Sequence, residues 1–149
     1  MVAGAAGVTG AQADLRGEAE ATLRAFLKAF ENDDVAMMEA AFVPEAASFD
    51  LVVAAPGVSA PPNLEAFRRQ PGMPASMRAL VERTPKPKSG PPYRRLEPKD
   101  LLIQVEGSTA VCTFHLEGPT SLGRRTIVLV RRGTAWKILH IHASNARSV

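Results

Sequence analysis

The spacing of apolar residues changes character once along this sequence, and that change dictates the order in which the architecture is laid down. From Leu15 the apolar positions Leu15, Ala19, Leu23, Phe26, Leu27 and Phe30 recur at i, i+4 and i+7, which is one stripe of an α-helix. Arg16, Glu20, Arg24, Lys28 and Glu31 fall on the opposite side, with Glu20 placed to pair with Arg24 one turn later. From Tyr93 onward the pattern is that of strands. Leu101–Glu106, Ala110–Leu116, Thr126–Arg132 and Ala135–Ser144 are β-rich runs, separated by Gly107-Ser108, Gly118-Pro119 and Gly133-Thr134. Helices first and a meander afterwards predict an α+β domain: a cone-shaped, curved antiparallel sheet covered on one face by the N-terminal helices.

The stretch between these halves is less regular. Asn32-Asp33-Asp34 ends the main helix and caps a second one, Val35–Phe42, which Pro44 stops. Phe49, Leu51, Val52 and Val53 predict a first strand within Ala46–Val53. Asn63 opens a short helix that Pro71-Gly72 breaks, and Pro74 begins another carrying Met77, Leu80 and Val81. Thr84–Pro92 holds four prolines with Lys86, Lys88 and Gly90, a composition unable to form a ladder or a helix, and predicts an exposed, mobile linker.

At 149 residues the chain is the size of one domain. The reading places it at 14–145, between a small-residue segment 1–13 and a tail 146–149. The first segment is either a flexible tail or the remnant of a secretion signal cut before Asp14, leaving cytoplasmic and exported locations both open. The 18 basic and 15 acidic residues give a net charge of +3, and the basic ones are scattered as the doublets Arg68-Arg69, Arg94-Arg95, Arg124-Arg125 and Arg131-Arg132, read as solvated element ends. A nucleic-acid surface concentrates such charge in a stripe with exposed aromatics, so no nucleic-acid partner is expected. No apolar run approaches the roughly 20 residues of a membrane-spanning helix, and no membrane association is expected. The single cysteine, Cys112, excludes an internal disulfide and reads as a buried structural thiol beside Phe114.

The last strand, Trp136-Lys137-Ile138-Leu139-His140-Ile141-His142-Ala143-Ser144, matches a tryptophan, His-x-His, serine pattern. Together with the glycine turn and strand Gly107–Leu116 and the opening helices Leu15–Phe42, it resembles the nuclear-transport-factor-2-like superfamily. The resemblance covers nearly all of 14–145 and lies with the SnoaL-like and ketosteroid-isomerase-like branch and with the association domain of calmodulin-dependent kinases. It implies a conical, largely apolar pocket for a small apolar or carbonyl ligand, without a cofactor. Isomerases, dehydratases, cyclases and assembly modules share the fold, so fold alone leaves the activity open. The arginine that commonly follows the second histidine of the kinase domain is replaced here by Ala143, and an anion pocket built on it does not carry over.

Three residues are candidates for proton transfer: Asp50, set among apolar neighbours that favour its protonated form, and His140 and His142. Strand alternation puts Trp136, Ile138, His140 and His142 on one face and Lys137, Leu139, Ile141 and Ala143 on the other. If Gly133-Thr134 is a two-residue turn, His140 faces Ile127 and His142 faces Arg125, which would keep that imidazole neutral. Tyr93, His115, Arg125 and Trp136 are candidate ligand contacts. His115 sits two strands from the pair, about 9 to 10 Å away, too far to complete a one-ion metal site with it, so no metal is expected. Both faces of the strand are largely apolar, which predicts helices over one and a second copy of the chain over the other.

Overall fold

The computed structural model describes residues 10–48, 70–71, 78, 81–82, 86, 89–119 and 121–147. Two helices, α1 (Gly10–Glu31) and α2 (Val35–Ala40), precede β1 (Phe42–Ser48), β2 (Gln70–Pro71), β3 (Lys99–Glu106), β4 (Thr109–Glu117), β5 (Ser121–Arg132) and β6 (Ala135–Arg147). The strands form one sheet in the order β2-β1-β6-β5-β4-β3. The fold is α+β with a curved, unclosed sheet, as the pattern predicts.

The stripe on α1 buries Ala19, Leu23, Phe26 and Leu27, and Arg24 meets Glu20 at 2.8 Å on the outer side. The helix begins at Gly10, so residues 10–13 belong to it rather than to a tail. Asp34 caps α2 as expected, accepting a hydrogen bond from the Met37 N–H at 3.1 Å. The helix ends at Ala40, earlier than predicted, because the chain turns into the sheet at Phe42. Pro44 therefore lies within β1 rather than stopping a helix. Among the described residues β1 pairs with β2 only at Ala47 and Ser48, away from Pro44, which is exposed.

β3 to β6 form the expected antiparallel meander, each strand a few residues longer than predicted. Gly133, at φ +65°, makes the two-residue turn that pairs Arg132 with Ala135. β1 joins β6 in parallel, so the sheet is mixed rather than wholly antiparallel. One face of the meander, carrying Ile103, Ala110, Cys112, Phe114, Ile127, Leu129, Trp136, Ile138 and Ile141, packs under α1 and forms the core with it. At about 25 cal/mol per Å², each large side chain sealed there contributes on the order of 1.5–3 kcal/mol. Burial also pushes the Cys112 thiol up to about 11, as suits a structural thiol.

The segment entering β3 is tied to the end of α1. The Tyr93 N–H donates to the Glu31 carbonyl at 2.8 Å and the Leu96 N–H to Glu31 Oε1 at 2.7 Å. Arg94 bonds Asp33 and the Phe30 carbonyl and lies over the Phe30 ring, 4.8 Å from its centroid. It is thus half-buried in an ion pair with a carboxylate 1% exposed, rather than a solvated strand end. Ser89, Pro91 and Pro92 are exposed as expected of the proline-rich linker. The predicted strand Ala46–Val53 begins within β1 at residues 46–48, while Gln70 and Pro71, expected at the end of a helix, form β2. Residues 49–69 and most of the helix following Pro74 lie outside the described residues. Arg78, Val81 and Glu82 are helical, with Val81 in the core.

Candidate functional site

The geometry of β6 decides where its histidines go. Between Val128 and Leu129 the ladder with β5 shifts by one residue: Ile138 faces Leu129, His140 faces Val128, and Leu139 is the extra residue of a β-bulge. The predicted pairing of His140 with Ile127 and of His142 with Arg125 is therefore corrected to Val128 and Thr126. Trp136 and Ile138 stay on the helix side, 5% and 0% exposed. Past the bulge that side passes to Ile141 and Ala143, and His140 and His142 turn to the outer face. The four residues expected on one face are split two and two, since a single inserted residue exchanges the faces of all that follows.

The helix side changes composition along its length. Beneath α1 it presents Trp136, Ile138, Leu129 and Ile127, all buried. Trp136 Nε1 donates to Glu18 Oε2 at 3.1 Å and Arg131 Nε lies 3.4 Å from the same oxygen, so the tryptophan is anchored to α1. Toward the other end come Ala143, Gly123, Arg125 and Asn145, with the buried Ser48 alongside Ile141 on β1. Arg125 lies across Gly123. Its Nη1 donates to the Arg124 carbonyl at 3.0 Å, Asn145 Oδ1 at 3.1 Å and the Ser144 carbonyl at 3.3 Å. A Cβ on Gly123 would fall 2.9 Å from that nitrogen, so the guanidinium occupies space that only glycine leaves.

On the outer face a cleft of about 280 Å³ is lined by Asp100, Thr113, Phe114, His115, Arg124, Arg125 and Thr126. His115 faces Arg124 across the strands and Thr113 faces Thr126. A second register shift, between Lys99 and Leu102, sets Asp100 at φ +51° and brings its carboxylate 3.7 Å from His115 Nδ1. Of this group the sequence reading named His115 and Arg125. Asp100, Thr113, Arg124 and Thr126 escaped it, because neither the bulge nor the cross-strand rows are visible before the register is known.

Tyr93 stands away from both places, held by its backbone to α1 with Lys86 Nζ 5.6 Å from its ring centroid. Asp50 lies outside the described residues. Among the described residues no three His, Cys, Asp or Glu side chains gather as a metal site would require.

Residues 19–148 match the SnoaL-like domain, and the chain belongs to that family. Its fold is the NTF2-like one, shared with solved structures of low identity. An NTF2-like protein of unknown function from Pseudomonas putida KT2440 is 16% identical with a TM-score of 0.67, over 89% of this chain and 87% of that one. A candidate dehydratase of the NTF2-like family from Streptomyces avermitilis is 19% identical with a TM-score of 0.65, over 91% and 99%. The CaMKII hub homology domain of Chlamydomonas reinhardtii is 15% identical with a TM-score of 0.66, over 88% and 98%. No curated protein matches the sequence.

Proposed function

We propose that this chain is a small-molecule-binding domain that holds a ligand with an apolar body and a carbonyl or carboxylate end against the helix-side face of the sheet. The observation that carries this reading is the gradient along that face. It runs from the apolar Ile127 and Ile141 to the small Ala143 and the buried Ser48, where Arg125 is fixed across Gly123 by three acceptors. An arginine already held in place loses little freedom on meeting an oxygen, and a few placed polar groups in an apolar setting are what a ligand site needs. With His140 and His142 on the outer face, binding is favoured over proton transfer by those histidines.

The test is a thermal-shift screen of apolar ketones and carboxylates, followed by amide NMR titration with each hit. Binding should move the Ser48 and Ala143 signals, and Ala143→Leu should weaken it about tenfold or more, the equivalent of 1.4 kcal/mol. Hits that bind Ala143→Leu as tightly as the parent would overturn the reading. A second copy is placed by the same proposal over the outer face, on the half-buried Val111, Val128, Val130 and Leu139. Light scattering at micromolar concentration should give twice the 15.9 kDa of one chain, and a monomeric mass rejects that part.

A further inference from the structure

We propose that the cleft on the outer face is a second binding site, selective for a small carboxylate that carries a hydroxyl or ammonium group beside its acid. It has Arg125 in common with the proposed helix-side site, but its donors Thr113, His115, Arg124 and Thr126 lie on the other side of the sheet, so its test reads signals that site does not use.

Three observations converge on it. The first is the order of the donors. Arg124 and His115 face each other across β5 and β4, and one row along the same face Thr113 faces Thr126. Directly opposed residues hold their Cβ atoms about 4.5–5.5 Å apart, so a guanidinium, an imidazole and two hydroxyls crowd one small area. Arginine and hydroxyl donors together suit a carboxylate, whose two oxygens accept several hydrogen bonds at once.

The second is the exposed carboxylate at the rim of the cleft. Asp100 takes a left-handed conformation that is uncommon outside glycine, at the point where β3 carries its extra residue. In a regular ladder it would occupy a different register. The bulge sets it 3.7 Å from His115, opposite in sign to the arginine wall. A site for a bare anion gains nothing from an acid at its rim. A site for a hydroxy or amino acid does, since the carboxylate accepts the hydrogen bond that the second group donates.

The third is size. At about 280 Å³, and with roughly 30 Å³ for each water-sized group, the cleft takes a ligand on the order of ten non-hydrogen atoms. Lactate and propionate differ only in the hydroxyl and make matched probes.

The experiment is an amide NMR titration of the whole chain with lactate, propionate and glycerol. Lactate should move Thr113, His115 and Thr126 saturably, propionate should bind several-fold more weakly, and glycerol should leave the signals in place. Arg124→Gln should weaken lactate binding about tenfold, in keeping with the loss of a charge-assisted pair. Asp100→Asn should abolish the preference of lactate over propionate. Arg16→Gln, a change on the exposed side of α1, should alter neither. Equal binding of lactate and propionate by the parent, saturable shifts confined to Ser48 and Ala143, or unchanged affinity in Arg124→Gln would each overturn the proposal. Arg124→Lys serves as the second variant, keeping the charge and losing the fork, and lactate binding as tight as the parent's in it counts against the site.

Discussion

The two faces of β5 and β6 are made from the same pair of strands, yet they follow different rules. On the helix side Leu129 and Ile138 face each other at 0% exposure under α1. On the outer side their neighbours Val128 and His140 also face each other, but only half-buried, amid threonines and charged residues. The first face is committed to packing and tolerates little change in volume. The second keeps polar groups in ordered rows where they remain able to meet another molecule. The bulge at Leu139 lets one strand serve both, passing the apolar series from even positions to odd ones partway along.

The sharpest test of that contrast is truncation on either side of the ladder. Ile138→Ala should cost about 2–5 kcal/mol in denaturant unfolding, because the sealed site under α1 cannot collapse around the cavity. Val128→Ala, its counterpart on the other face, should cost well under half of that in the monomer. Equal losses would mean the two faces are packed alike. A smaller effect is expected from deleting Leu139. If this residue is the extra one, the deletion restores a regular ladder with Ile138 still against Leu129 and His140 still against Val128. The protein should then fold with a loss of about 1–3 kcal/mol from lost packing and local strain. In a ladder without a bulge the same deletion would instead turn His140 and every residue after it to the opposite face of the sheet, and a loss well beyond about 3 kcal/mol would show it.

The smallest effect is confined to alkaline solution. The thiol of Cys112 on the core side is pushed up from 9.0 to about 11 by burial, so its neutral form is favoured in the folded state. That contribution is complete below pH 9 and is lost as the pH rises toward 11. Stability measured across this range should fall more steeply for the parent than for Cys112→Ala. Parallel curves would show the thiol to be reached by water.

How much of this was legible before the structure depends on what carries the signal. The stripe from Leu15 to Phe30 and the runs after Tyr93 repeat often enough for their periods to be read, and both became the predicted elements. Gly133-Thr134 fixed the start of the β5–β6 ladder for the same reason, since a two-residue turn leaves no choice of partners. The bulge at Leu139 carries no glycine or proline to announce it. The face assignment of both histidines failed there, although every residue around them had been placed on the right strand. Arg94 looked like any surface arginine, and only the fold brings it to Asp33 and Phe30, more than sixty positions earlier. Strand content was thus local information, while the site depends on register.

The parallel contact between β1 and β6 also bears on how the chain is made. Ile138 donates its N–H to the carbonyl of Ala41 at 2.8 Å, and Phe42 lies beside it. The helical half and the strand it docks on are therefore separated by three strands of the meander in order of synthesis. At synthesis rates of about 5–20 residues per second, Leu23, Phe26 and Phe42 wait several seconds for the strand that covers them. The meander can assemble from neighbouring hairpins as it emerges, whereas the amino-terminal helices cannot finish docking until β6 has been made. The nascent chain thus carries the apolar stripe of α1 in the open until β6 emerges, and that interval is when a holding chaperone can reach it.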